Sequence, residues 1–552
     1  MKPLLFLALA LTTALGAEIY VEWNVGYVSV NRDGYNMRRA IGVNGTLPIP
    51  AVEAVKGDTV YLTVNNGLDV STSIHAHGLF QNGTAHMDGP AMIAQCGIPP
   101  GRSFTYEYTL TQTGTYWLHA HDHHQNSDGL RTAFVIYDSD SEGSPYAYDE
   151  AMLLTFEDWF REEFAERAAQ TLDPNANFPP PHGHAFGLIN GIDGNQSMAL
   201  HFEPGRRYRI HLANMGVLNW FKFQLPGHRM QVIEVDGVYT QPLDVDIIDI
   251  APAQRYSVLV SAHDSDSFNY QYNATLHANF IPTAAGLIPR VYLGNIIYKK
   301  GAPFKQLPPI DEASLSWLDD IDLTPLDEEP ALPVTRSVVY TAGNALYSTG
   351  QRLDFFNNIT FALPDVPTLY TALTAGDAAL DPRVYGPQTN ALVLRHNEVV
   401  ELTIHNPNNL PHPFHMHGHA FQITEYGPAD LPVADDRAPT NITISTAAAA
   451  PVKRDTMVIP EYYYIKVRFR ADNPGIWLLH CHLDIHFAMG MALAIVEAPD
   501  VLQKSLHVPP EMYSLCHQQK IPVSGNAAGK KGLDFTGFRP PPVVVERNSS
   551  QT

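Results

Sequence analysis

The chain has 552 residues, with 35 Lys and Arg against 57 Asp and Glu, so its net charge is −22 with histidine neutral. That length exceeds what one hydrophobic core supports and implies about three domains. The acidity, unbroken by any basic cluster, excludes a nucleic-acid binder and otherwise favours solubility without naming a substrate.

Residues 1–17, MKPLLFLALALTTALGA, combine a basic residue, an apolar run and small residues before Glu18. They read as a secretory signal peptide, so a secreted, extracellular or cell-wall protein is expected. Seven Asn-x-Ser/Thr sequons, at Asn44, Asn82, Asn195, Asn273, Asn358, Asn441 and Asn548, fit that route. No later stretch is long and apolar enough to span a bilayer, and no membrane anchor is expected. Short alternating runs follow, such as TVYLTVNN, SFTYEYTL, YRIHLANM, QRYSVLVSA, VVELTIHN and YYYIKVRFR, separated by Gly, Pro, Asn and Asp turns. This is an all-β texture. One short surface helix is predicted over 156–169. The segments KGDTVYLTVNNGL, PGRRYRIHLANMG and RHNEVVELTIHNPN are alike, as three related β-sandwich domains would be. The expected divisions are 18–138, 139–300, a linker at 301–333, 334–520, and a polar Pro- and Gly-rich tail at 521–552.

The chemistry lies in four histidine clusters. HAHG supplies His75 and His77, HAH supplies His119 and His121, HPFHMHGH supplies His412, His415 and His417, and WLLHCHLDIHFAMGM supplies His480, Cys481, His482, His486 and Met491. A thiolate at Cys481, an imidazole five residues on and a thioether ten residues on form the Cys, His and axial Met set of an electron-transfer copper. On a strand, His480 and His482 point away from the Cys481 sulfur, so they can hold other metal ions while joined to that cysteine through a short covalent route.

These four motifs resemble the multicopper oxidases, the family of laccases, ascorbate oxidases and ferroxidases, over nearly the whole chain after the leader. The resemblance implies three consecutive cupredoxin-like, Greek-key β-sandwich domains and four copper ions. The type 1 copper would take His412, Cys481 and His486 with Met491 axial, and the type 2 copper His75 and His415. The type 3 pair would take His77, His119 and His482 on one ion, and His121, His417 and His480 on the other. Four one-electron oxidations at the type 1 site would then reduce O2 to water at the three-copper cluster. Asp88 and Asp484 match acidic positions tied to proton delivery, and each also reads as a turn or hydrogen-bonded group beside the ligands. Ala76 and Ala120 replace the usual Trp and Ser without removing a ligand. Cys96 and Cys516 remain once Cys481 is assigned. AQCGIPPG resembles the family segment bridged to the C-terminal part of the third domain, and two free buried thiols are the alternative.

The donor is harder to read. HGLFQNGTAHMDGP and QRYSVLV look like the fungal ferroxidase and pigment-oxidase branch. Fungal ferroxidases place acids beside the type 1 copper, but here Asn408 stands at one such position, and NFPPPHGHAFGLING, with His182 and His184, has no carboxylate. Phe178, Pro179, Pro180 and Pro181, with Trp220 and Phe221, suit a flat phenolic ring. The expectation is a laccase-like oxidase of small phenols, in pigment or secondary-metabolite formation, with any accessory protein left open. A ferroxidase for iron uptake is the alternative, and a copper-storage protein without turnover is the third reading.

Overall fold

The computed structural model describes residues 16–32, 34, 37–138, 143–175, 185–193, 199–265, 267–277, 290–308, 311–430, 443–447, 449–539, 542 and 544. Residues 1–15 of the expected 1–17 leader, the apolar 178–181 segment with His182 and His184, and the sequons at Asn195, Asn441 and Asn548 lie outside them.

The described strands form three β-sandwiches in chain order. In the first, a four-stranded sheet (Arg38–Val43, Glu18–Val30, Thr59–Asn66, Ser103–Thr109) packs on another (Val52–Val55, Arg131–Tyr137, Gly114–Ala120, Ile74–His77). The second pairs a seven-stranded sheet with a five-stranded one, and so does the third. The third sandwich's five-stranded sheet runs Leu392–Leu394, Ala492–Glu497, Gly475–Cys481, His412–Met416, Thr456–Ile459.

Two kinds of strand are distinguishable by burial. Thr59–Asn66 alternates buried and half-buried residues, as a strand does with one face toward solvent. Gly114–Ala120 and Gly475–Cys481 are buried at every position, because their outer faces are covered by neighbouring sandwiches. The cores are shared accordingly. One apolar cluster runs from Val60 and Tyr106 to Leu502 and Cys516, joining the first sandwich to the C-terminal helices. Another runs from Leu212 and Trp220 to Phe414 and Cys481, joining the second to the third.

One expectation is corrected, and two segments gain a place in the fold. The helix predicted over 156–169 is two elements: residues 156–159 are the buried end of the strand Glu150–Trp159, and the helix is Phe164–Thr171. The acidic and apolar mixture there reflects a strand end followed by a short helix, not one amphipathic face. The linker expected at 301–333 runs along the second sandwich, where Ile247 bridges Trp317 and Thr240 bridges Pro325. The tail beyond 520 also packs: Ala527 and Asn526 are buried, and Ala527 exchanges backbone hydrogen bonds with Val384 and Asp365.

Cys96 and Cys516 form a disulfide, with 5.3 Å between their Cα atoms and 420 residues between them in the chain. It fastens the first sandwich to the C-terminal helix Pro510–Gln518. Closing so long a loop restricts the unfolded chain, and removing such a bridge costs about 2–5 kcal/mol. Replacing Cys96 and Cys516 together by Ala is therefore expected to lower the thermal midpoint by several degrees, read by circular dichroism; an unchanged midpoint would mean that the bridge constrains nothing.

Candidate metal centres

Strand register sorts the histidines into two sites. His412–Met416 lies antiparallel to Gly475–Cys481, with Phe414 opposite Cys481 and His415 opposite His480. Directly opposed residues share a face, and successive residues alternate. His412 and Cys481 therefore point to one side and His415 and His480 to the other.

On the first side, Cys481 Sγ lies 3.6 Å from both His412 Nδ1 and His486 Nδ1. The two nitrogens are 3.1 Å apart. His486 comes from the short helix Asp484–Ala488, and Met491 follows, its N–H donating to the His486 carbonyl and its own carbonyl accepting from Cys481 N–H. The loop thus closes Met491 onto the same centre. Burial pushes the Cys481 thiol well up and holds His412 down at about 3, so an ion here meets a dry site with an imidazole lone pair.

On the other side, the remaining eight histidines of the four motifs converge between the first and third sandwiches. His75 is opposite His119 in register, on Ile74–His77 and Gly114–Ala120. His75 stacks on His417 at 3.9 Å between ring centroids, and His77 on His415 at 3.6 Å. His121, His417 and His480 are close enough to share one ion, as are His75, His415 and His417. His77, His119 and His482 have centroids 5.1 to 5.7 Å apart.

Whether these residues fit a metal is tested by their hydrogen bonds. Backbone carbonyls accept from Nδ1 of His75 (Asp88, 2.7 Å), His119 (Ala120, 3.0 Å), His415 (Asp455, 3.0 Å) and His480 (Cys481, 3.1 Å). A carbonyl only accepts, so each Nδ1 carries the proton and each Nε2 keeps a lone pair. Nε2 of His75, His119 and His415, Nδ1 of His77 and both nitrogens of His482 are buried with no partner. Orphaned buried polar atoms cost about 1–3 kcal/mol each, and so many around one space fit cations. Burial, helped by neighbouring imidazoles, holds His77, His119, His121, His417 and His482 well below the usual imidazole range. They stay neutral, as ligation requires.

Asp88 is a clasp. It accepts from His75 through its carbonyl, and its Oδ2 accepts from His417 Nδ1 at 2.9 Å. Asp484 instead faces a cavity of about 320 Å3 lined also by His119, His121, His480 and His482. Burial lifts its carboxyl to about 6, against the Ser127 hydroxyl that donates to it at 2.5 Å.

Other sequence candidates resolve differently. Trp220 is only 2% exposed and belongs to the shared core, so it presents no face to a donor. Asn408 is half-buried, and its carbonyl accepts from Tyr462 N–H. Glu425, the one carboxylate in the sequence between Glu401 and Asp430, is taken up by Tyr464 and Lys466. Sequence reasoning missed Asp455, Thr456 and Arg255, which surround His77 and His415. KRDT at 453–456 is an unremarkable strand segment, and only the pairing of Thr456 with His415 shows its place.

Three family models described as multicopper oxidase match residues 24–141, 150–291 and 361–501. The iron transport multicopper oxidase fetC of Epichloe festucae is 37% identical over 551 residues, covering 97% of this chain and 86% of that protein. The iron multicopper oxidase fer1 of Mycosarcoma maydis is 36% identical over 97% of this chain and 89% of its own. Among solved structures, Fet3p, a multicopper oxidase that functions in iron import, superposes with a TM-score of 0.82 at 30% identity, covering 93% of this chain and 97% of that one. A laccase from Botrytis aclada superposes at 0.72 and 26% identity, with 91% of each chain covered. With three domain matches and full-length relatives around two histidine-rich centres, the chain belongs to the multicopper oxidase family, an O2-dependent oxidoreductase that takes one type 1, one type 2 and two type 3 coppers.

Proposed function

We propose that this oxidase takes single electrons from Fe(II) and passes them to O2, four ferrous ions and four protons yielding four ferric ions and two waters for each O2. The observation that carries this reading is similarity along 97% of the chain to relatives named for iron transport. An acidic chain also concentrates cations near its surface.

The ligands would be His412, Cys481 and His486 with Met491 axial at type 1, and His75 and His415 at type 2. Type 3 would use His77, His119 and His482 on one ion, and His121, His417 and His480 on the other. Bound copper supplies reversible one-electron acceptance at the thiolate site and multi-electron reduction of O2 at the cluster. The chain's own residues do the rest. Cys481 joins the sites through the peptide bonds to His480 and His482. Asp88 orients two imidazoles, and the Asp484 carboxyl, lifted to about 6, can take up and release a proton beside the cavity that reaches the cluster. The disulfide supports maturation outside the reducing cytosol. Among the described residues no helix is long and apolar enough to cross a membrane.

A phenolic donor is the second reading, and a specific observation favours it: Asn408 stands where a carboxylate would hold a ferrous ion, and Glu425 is committed to Lys466. Pigment or secondary-metabolite coupling belongs to that reading.

Oxygen uptake by the copper-loaded protein with Fe(II) and with a naphthol at matched concentration separates the two. Ferrous turnover at least tenfold faster is expected, and the reverse ratio would replace iron by a phenol. Two variants separate electron entry from O2 reduction. Cys481→Ser is expected to abolish the blue absorption and turnover while keeping the fold. Asp484→Asn should keep the blue colour yet slow reoxidation by O2 about a hundredfold, the low end of the range for losing a proton-transfer group. Retained turnover in the first, or unchanged reoxidation in the second, would contradict these roles.

A further inference from the structure

Among the described residues the second sandwich supplies none of the clustered imidazoles, yet one of its side chains reaches them. Arg255, on the strand Arg255–Ser261, is fully buried. Its Nη1 and Nη2 donate to Asp455 Oδ1 and Oδ2 at 2.7 and 2.5 Å, and its Nε donates to the Thr115 carbonyl of the first sandwich at 2.9 Å. Its Nη1 also donates to the Ala253 carbonyl of the second sandwich at 3.0 Å. The fork is therefore fixed from all three sandwiches.

Asp455 in turn touches two stacked imidazoles. Its carbonyl accepts from His415 Nδ1 at 3.0 Å, and its Oδ1 lies 3.3 Å from that nitrogen and 3.4 Å from His77 Nε2. The Thr456 hydroxyl, which donates to Asp455 at 2.8 Å, sits 3.2 Å and 3.4 Å from the same two nitrogens. This ledge occupies one nitrogen of each ring and leaves His415 Nε2 and His77 Nδ1, both buried and unpartnered, as the free ligand atoms. His77, His415 and Asp455 are compact enough to hold an ion themselves. A cation there would sit against the Arg255 guanidinium, which already engages both carboxylate oxygens. The carboxylate is an acceptor for ligand N–H groups and not a ligand.

We propose that Arg255 is a positioning residue of the copper cluster: through Asp455 it fixes the orientation and protonated nitrogen of His415 and His77, so that the second domain sets the geometry of the type 2 copper and one type 3 copper. The proposal rests on the ligand assignment and is independent of the electron donor. Groups that orient a metal's imidazoles characteristically change metal affinity by about 10–100-fold when removed.

The test measures copper per chain, type 2 electron paramagnetic resonance, blue absorption and thermal midpoint for the full chain and three variants. Asp455→Asn removes the charge with little change of shape, and Arg255→Lys keeps the charge but loses the fork. Arg209→Lys breaks a comparably buried pair, Arg209 with Glu234 at 2.8 Å, that reaches none of the clustered imidazoles. The expected result is loss of the type 2 signal and a fall from four coppers toward three in the first two variants, with blue absorption kept. Arg209→Lys should keep all four at a similarly lowered midpoint. Unchanged type 2 spectra in Arg255→Lys would overturn the proposal, and so would parallel loss of every copper signal in both Arg255→Lys and Arg209→Lys, which marks a general structural role. Where Asp455→Asn does not fold, Arg255→Lys carries the test. A wild-type chain that binds no copper would overturn the ligand assignment and the proposal together.

Discussion

The molecule is organised around burying many neutral imidazoles at one place without water to satisfy them. Each ring has two nitrogens, and in a dry interior each nitrogen needs a partner. The fold answers part of this demand, at five of the eight inward rings, with fixed acceptors: the carbonyls of Asp88, Ala120, Asp455 and Cys481 and the Asp88 carboxylate. Other nitrogens, both of His482 among them, are left unpartnered around one space, and cations complete them. Because the acceptors belong to the first and third sandwiches, the site exists only when the two ends of the chain are held together. The disulfide from Cys96 to Cys516, and the apolar cluster that continues from Tyr106 to Leu502, hold them.

The middle sandwich supports this arrangement with buried charge. Arg255 and Arg454 alternate with Asp455, Asp236 and Asp320, and Arg209 pairs with Glu234 beside Thr115. Each ion is costly to bury alone and tolerable only because its neighbours supply charge and hydrogen bonds in fixed directions. Such a network specifies one mutual placement of the sandwiches more sharply than an apolar contact, which tolerates sliding. Precision is needed here because displacing an imidazole nitrogen by a fraction of a bond length weakens a metal bond.

Much of the site was legible in the sequence because metal ligation constrains residue type and spacing together. Cys481 with His486 five residues on and Met491 ten residues on requires a strand, a helical turn and a return, and that is what 475–491 forms. The alternation of His480 and Cys481 is a property of any strand. The helix predicted over 156–169 begins too early because the polar and apolar mixture runs across the end of one strand and into the helix Phe164–Thr171, with no single period over the span. Trp220 read more readily as core than as a contact surface, and it lies in the core shared by the second and third sandwiches. Asp455 and Arg255 were invisible because their partners lie 200 residues apart and carry no spacing rule.

Iron and phenol readings differ only in what approaches the outer copper, so the inner account holds for either. Its central claim is that one metal lies among His412, Cys481 and His486 and three more lie among the eight inward histidines. Anomalous diffraction at the copper edge from crystals of the copper-loaded protein measures this directly. The account predicts one isolated peak at the first group and three clustered peaks at the second, none bonded to Asp455. An inner cluster without copper, or a peak coordinated by the Asp455 carboxylate, would contradict it.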